Sequence, residues 1–178
     1  MKITAFAGSN STKSINKQLV EHTLTHFPDA EINLLDLNDF AMPVFSVDLE
    51  SSEGYPEEAR NFLRQFEDTD LLIVSMAEHN GNFTAAFKNT LDWCSRIELK
   101  MFRKKPMFLM STSPGGYGGK NALDAAVKRF PKHDAEIIET FSLPSFNENF
   151  SRGQGILDEE LKAAFLEKVA AVKEQLNA

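Results

Sequence analysis

The chain has 178 residues, a formal net charge of -7, 42% hydrophobic and 25% charged residues. That is the make-up of one soluble globular domain, and its acidic balance argues against a nucleic-acid partner, whose phosphates must be neutralised by cations. A single cysteine, Cys94, leaves no internal disulfide, and no stretch approaches the roughly 20 apolar residues that cross a bilayer, so a cytoplasmic protein without membrane insertion is expected.

In chain order, "KITAFA" (2–7) reads as a strand, and Ile15, Leu19, Val20, Leu24 and Phe27 then repeat as one face of a helix. His22 and His26 fall on the other face with Gln18, which reads as solvated. "EINLLDL" (31–37) is a second strand, followed by a proline-bearing loop. Pro56 suits the first turn of a helix whose buried stripe is Ala59, Phe62, Leu63 and Phe66. "DLLIVSM" (70–76) is apolar without alternation, the pattern of a central parallel strand covered on both faces. Phe83, Phe87, Thr90, Leu91 and Cys94 mark a helix, and "PMFLMST" (106–112) another buried strand. Ala122, Leu123, Ala126, Val127 and Phe130 predict the next helix, "AEIIETFSL" (135–143) the fifth strand. Leu157, Leu161, Ala164, Phe165, Val169, Val172 and Leu176 predict the terminal helix. Five strands alternating with five helices predict a doubly wound α/β domain with its ligand beyond the carboxyl ends of the strands.

Three loops follow such strand ends. "GSNSTKSIN" (8–16) crowds Ser9, Ser11, Thr12 and Ser14 around Lys13 at the start of a helix. A plain connector needs one capping hydroxyl; a phosphate held by N–H and O–H groups uses them all. The loop matches neither G-x-G-x-x-G nor G-x-x-x-x-G-K-S, which disfavours the dinucleotide and Walker-type sites. "AEHNGN" (77–82) adds Glu78 and His79 to an Asn80-Gly81 turn, a set able to meet the edge of a planar heterocycle. "SPGGYGG" (113–119) is either a flexible turn or a place where backbone approaches a ligand closely, with Tyr117 as a flanking ring.

These loops resemble the NADPH-dependent FMN reductase family. The spacing G-S-x-x-x-x-S-x-N at 8–16 is similar to its phosphate loop. "EHNGNFTAAFKNTLDWCSR" (78–96) is similar to its second signature, matching at Glu78, Asn80, Gly81, Lys88, Asn89, Asp92, Trp93, Ser95 and Arg96. The resemblance implies one flavodoxin-like FMN-binding domain over 1–178, an α/β doubly wound five-stranded parallel sheet of order 2-1-3-4-5 with helices on both faces. It implies that Ser9, Ser11, Ser14, Ile15 and Asn16 surround the FMN phosphate. Glu78, His79, Asn80 and Gly81 would line the isoalloxazine, and Ser113, Gly115, Gly116 and Tyr117 would close its other edge. It further implies NADPH or NADH as donor, a quinone or similar small-molecule acceptor, and a homodimer or homotetramer to which Lys88, Asn89, Asp92 and Trp93 contribute. Three positions depart from the family pattern. Ser11 stands where an Arg is usual, Ala77 where a Pro is, and His79 where a Tyr is.

Other readings compete. A Ser-His-Asp esterase with Ser9 as nucleophile needs a histidine brought to it, and none of His22, His26, His79 and His133 sits in a D-x-x-H motif. His22 and His26 have helical metal spacing but no third ligand nearby in sequence. A non-enzymatic flavodoxin-type electron carrier, docking through its acidic charge, is the alternative to a reductase.

Overall fold

A computed structural model describes residues 1–176. Its elements in order are β1 (Lys2–Ala7), α1 (Ile15–Leu24), β2 (Glu31–Leu35), α2 (Val47–Glu53), α3 (Glu57–Arg64), β3 (Leu71–Met76), β4 (Glu78–His79) and β5 (Asn82–Phe83). They continue with α4 (Ala85–Ile97), β6 (Lys105–Thr112), α5 (Lys120–Arg129), β7 (Ala135–Leu143), α6 (Phe146–Asn149), β8 (Phe150–Ser151), β9 (Gly155–Ile156) and α7 (Glu159–Leu176).

Five strands pair in parallel in the order β2-β1-β3-β6-β7, which is 2-1-3-4-5 when only strands of this sheet are counted. The apolar runs explain it. All six residues of β3 are buried, so the strand needs a covered face on each side. Its odd residues Leu71 and Ile73 join Ile3, Ala5, Phe108 and Met110 against α1 and α7 through Leu19, Val20, Phe165, Val169 and Val172. Its even residues Leu72, Val74 and Met76 join Phe6 and Leu109 against Phe62, Phe66, Phe87, Leu91 and Phe130 on the other face. The chain leaves β1 outward to β2, then returns past β1 to β3 and onward. The switch in direction lies between β1 and β3, and it opens a crevice at their carboxyl ends.

Several expectations change. The second strand ends at Leu35 because Asp36 caps a 3-10 turn over Leu37–Phe40, its carboxylate accepting from the Asn38 amide at 3.0 Å. The loop after it contains α2, which buries none of its residues and so left no apolar period to read. Val127 and Ala164, expected in the core, are exposed, and Leu157 precedes α7. His22 and His26 do not form a solvated face. The His22 ring stacks on Phe165 at 5.4 Å and meets His26 edge-on at 5.3 Å, because α7 folds back over α1.

Candidate functional site

The loops after β1, β3 and β6 meet at the switch point, and buried polar side chains clamp them together. Gly8 donates its N–H to Ser75 O at 2.8 Å, and its carbonyl accepts from the Thr84 hydroxyl at 2.9 Å. Thr84 also caps α4 by accepting from Phe87 N, so one residue fixes both the first loop and that helix. Gly8 leaves little room behind it, since a Cβ there would lie 3.0 Å from Met76 Cε.

The Asn16 side chain is buried and turned away from the first loop. Its Nδ2 donates to Thr112 O at 3.1 Å, while Oδ1 accepts from Thr112 N at 3.0 Å and from Ser75 Oγ at 2.7 Å. It pins α1 to β3 and β6, and only its backbone N–H remains for a ligand. Ser14 is the N-cap of α1, accepting from Lys17 N at 3.2 Å. The backbone N–H groups of Thr12, Lys13, Ile15 and Asn16 meet no protein acceptor among the described residues. Ser9 Oγ accepts from Ser11 N, and Ser11, Thr12 and Lys13 are exposed. A ring of donors at a helix N-terminus, with the positive end of its dipole behind it, suits an anion.

In the second loop, Asn80 (φ 52) and Gly81 (φ 75) form the two-residue turn of the β4–β5 hairpin, so the backbone alone accounts for this pair. Glu78 reaches out of the hairpin to the start of α5, where Oε1 accepts from Asn121 Nδ2 and Oε2 from Ala122 N, both at 3.1 Å. The α5 N-cap, Gly119, has no side chain to do this. Glu78 therefore acts as a borrowed cap, setting the spacing between the second and third loops. His79 stands exposed on the hairpin.

The third loop divides in two. Gly118 and Gly119 are required by the fold: both have positive φ, and a Cβ on Gly118 would stand 2.4 Å from Ser142 Oγ. Gly118 O is held by the hydroxyls of Ser111 (2.7 Å) and Ser142 (3.0 Å). At Gly115 a Cβ would meet nothing within 4 Å, and at Gly116 only Ser145 Oγ at 4.0 Å, so both lie beside open space. Ser113 turns its hydroxyl to Gly115 O at 3.2 Å. Tyr117 is 58% exposed, with Lys120 Nζ 5.9 Å from its ring centroid.

Four clamping residues, Ser75, Thr84, Thr112 and Asn121, were not singled out from the sequence. Ser75 carried a signal, being the one hydroxyl inside an apolar central strand; Asn121 carried none. The residues expected at a subunit contact divide. Trp93 is fully buried with its indole N–H on Pro43 O at 2.8 Å, and Asn89 holds Phe45 N and the carbonyls of Met42 and Pro43. Both serve the chain's own 42–45 segment. Lys88 and Asp92 pair with each other on the surface of α4. Cys94 is buried against α3, and burial pushes its thiol up to about 12, which leaves it inert. No helix among the described residues is long and apolar enough to cross a membrane.

The family model of the NADPH-dependent FMN reductases matches residues 1–174. A 2-hydroxy-1,4-benzoquinone reductase from Burkholderia sp is 33% identical over 119 residues, which span 66% of this chain and 63% of that protein. The quinone reductase of Escherichia coli K12 is 24% identical over 164 residues, 86% of this chain and 87% of that one. Among solved structures, the flavoenzyme NAD(P)H:(acceptor) oxidoreductase FerB from Paracoccus denitrificans superposes with a TM-score of 0.77 over 99% of this chain and 97% of its own, at 21% identity. At that identity the superposition speaks for the fold, whereas the family match runs through all three loops of the crevice. By that match the chain belongs to the NADPH-dependent FMN reductase family.

Proposed function

We propose that this chain is an FMN-dependent oxidoreductase taking hydride from NADPH or NADH and passing electrons to a quinone or similar small acceptor. The observation that carries the reading is the set of unpartnered amides at Thr12, Lys13, Ile15 and Asn16 at the N-terminus of α1, together with the open space beside Gly115 and Gly116 in the third loop. The residues present fit the cofactor. The amides and the hydroxyls of Ser9, Ser11 and Ser14 would hold the FMN phosphate. The β4–β5 hairpin, with Glu78, His79, Asn80 and Gly81, would bed the isoalloxazine, and Ser113, Gly115, Gly116 and Tyr117 would flank its other edge.

FMN when bound supplies the hydride and electron chemistry. The protein's share is orientation. Asn16 fixes the anion-binding helix against β3 and β6, and Glu78 fixes the hairpin against α5. No side chain is assigned as an acid or base. Lys13 is the one cation within the first loop, and with Ser11 in place of a guanidinium it grips a phosphate as a point charge.

A homodimer or homotetramer forms part of this reading. Val44 and Val47 stand 84% and 64% exposed at one end of the segment that Asn89 and Trp93 hold in place. Two exposed valines close together on a held backbone suit contact with a second copy.

The test is a visible spectrum of the purified, FMN-loaded protein, followed by anaerobic addition of NADPH or NADH. Bleaching of the flavin band by either nucleotide, and turnover with menadione, is the expected result. A loaded protein that neither nucleotide reduces is an electron carrier instead.

A further inference from the structure

We infer that the end of the sheet opposite the crevice docks on an anionic phospholipid surface, leaving the crevice open to solution. The surface lies at the first residues of β6, about 23 Å of strand away from the loop that follows Thr112, so the inference stands apart from the flavin reading. There the segment between α4 and β6 lies against the segment between α5 and β7. Phe102 N donates to His133 O at 3.0 Å and Lys104 N to Asp134 O at 2.7 Å. The His133 imidazole, fully buried, meets Leu99 O through Nδ1 at 2.8 Å. The two segments thus form one held surface.

Residues 98–105 and 128–134 together carry seven cations and two carboxylates, in a chain whose net charge is -7. Both carboxylates are occupied. Glu98 takes the Arg103 guanidinium at 2.8 and 2.7 Å, and Asp134 takes Lys100 at 2.8 Å. Lys105 rests its ammonium on Glu67 O at 3.4 Å. Lys104, Lys128, Arg129 and Lys132 are exposed and form no ion pair among the described residues. The end of α5 accounts for Lys128 and Arg129, which complement its dipole; Lys104 and Lys105 stand at the start of a strand, where no dipole calls for them. Acidic residues border the patch in sequence, at Glu67, Asp68 and Asp70 on the α3–β3 side and at Asp124 and Glu136 on the other. The positive charge is therefore local, and it is uncompensated where the two segments meet.

Three features select a lipid surface among polyanions. Four of the five cations free of a carboxylate are lysines, point charges that suit a diffuse layer of headgroups better than bidentate recognition of one phosphate or carboxylate. Leu99 stands 58% exposed between Glu98 and Lys100, and Val127 39% exposed just before Lys128, apolar tips that an acyl boundary accepts and a solvated polyanion does not. The aromatic residues of the two segments, Phe102 and Phe130, are fully buried, leaving neither ring for nucleic-acid bases to stack on.

The test is flotation of the full chain with vesicles of phosphatidylcholine alone or with about one-third phosphatidylglycerol, from about 50 mM to about 300 mM salt. The flavin-free chain suffices, so the outcome is independent of the flavin. Binding to the anionic vesicles alone, weakening as salt rises, is the expected result. Lys104→Gln, Lys128→Gln and Lys132→Gln should each weaken it about fivefold, and the three together about 100-fold. Leu99→Ser should weaken it about threefold with the salt dependence unchanged. The same charge change on α7, made by Lys162→Gln, Lys168→Gln and Lys173→Gln together, should leave binding within about twofold of wild type. Absence of binding to the anionic vesicles at low salt overturns the inference, and so does an equal loss in the α7 variant, which would place the attraction elsewhere. A short DNA duplex and polyglutamate are titrated in parallel. Tighter binding of either, unaffected by Leu99→Ser, overturns the lipid surface and gives the patch to that polyanion.

Discussion

Replacing Asn16 by Ala removes three buried hydrogen bonds at once. Thr112 N–H and Ser75 O–H lose their acceptor, Thr112 O loses its donor, and both residues are essentially inaccessible to solvent. A buried polar group stripped of its partner costs about 1–3 kcal/mol. Ser75 can rotate its hydroxyl, but the two Thr112 backbone groups cannot move without disturbing β6, so a total of about 3 kcal/mol is expected. In a chain of this length each kcal/mol lowers Tm by about 2–4 °C, giving a fall of about 6–12 °C. The assay is thermal unfolding of the flavin-free protein followed by circular dichroism. Asn16→Leu, which fills much of the same volume, should lose as much, assigning the loss to polar groups rather than to a cavity. A flavin-free Tm within about 2 °C of wild type, with FMN binding nonetheless impaired, would refute the clamp and return the side chain to the phosphate.

Glu78→Ala leaves Ala122 N and the Asn121 amide without their acceptor, and should cost about 1 kcal/mol in urea unfolding together with weakened binding of riboflavin as well as FMN; unaltered stability would mean that α5 needs no cap. Ser11→Arg adds a guanidinium fork beside the anion-binding amides and should tighten FMN by about threefold to tenfold while leaving riboflavin unchanged, and equal effects on the two ligands would place the phosphate elsewhere. Burial lowers the pKa of His22, His26 and His133, with His26, Lys173 and Arg129 respectively adding to it. The unfolded chain then takes up protons below about pH 6.5 that the native state refuses, so stability is full above that pH and falls as pH drops toward 5. A Tm that stays level between about pH 7 and 5 would contradict this.

The sequence by itself determined the sheet and the end of it at which the three unusual loops gather. Continuous apolar runs such as 71–76 satisfy only a strand covered on both faces, and two such runs separated by a helical period satisfy only a parallel crossover. The hydroxyl-rich, acidic and glycine-rich loops were legible because each departs from what a plain turn needs, and strand direction alone sends all three to one end. What tertiary structure decided is the direction in which individual polar side chains turn. Asn16 reads as one more polar residue in a phosphate loop, and nothing within ten residues of it reveals that Thr112 arrives behind it with both backbone groups unpaired. His22 and His26 lie on the polar side of their own helix, and only the return of α7 from the far end of the chain places Phe165 against them. Trp93 and Asn89 look like a surface on α4 until the 42–45 segment, itself without apolar period, folds onto them. Periodicity reports one face of one element. Which second element covers the opposite face is a long-range choice, made by the whole sheet closing around its core.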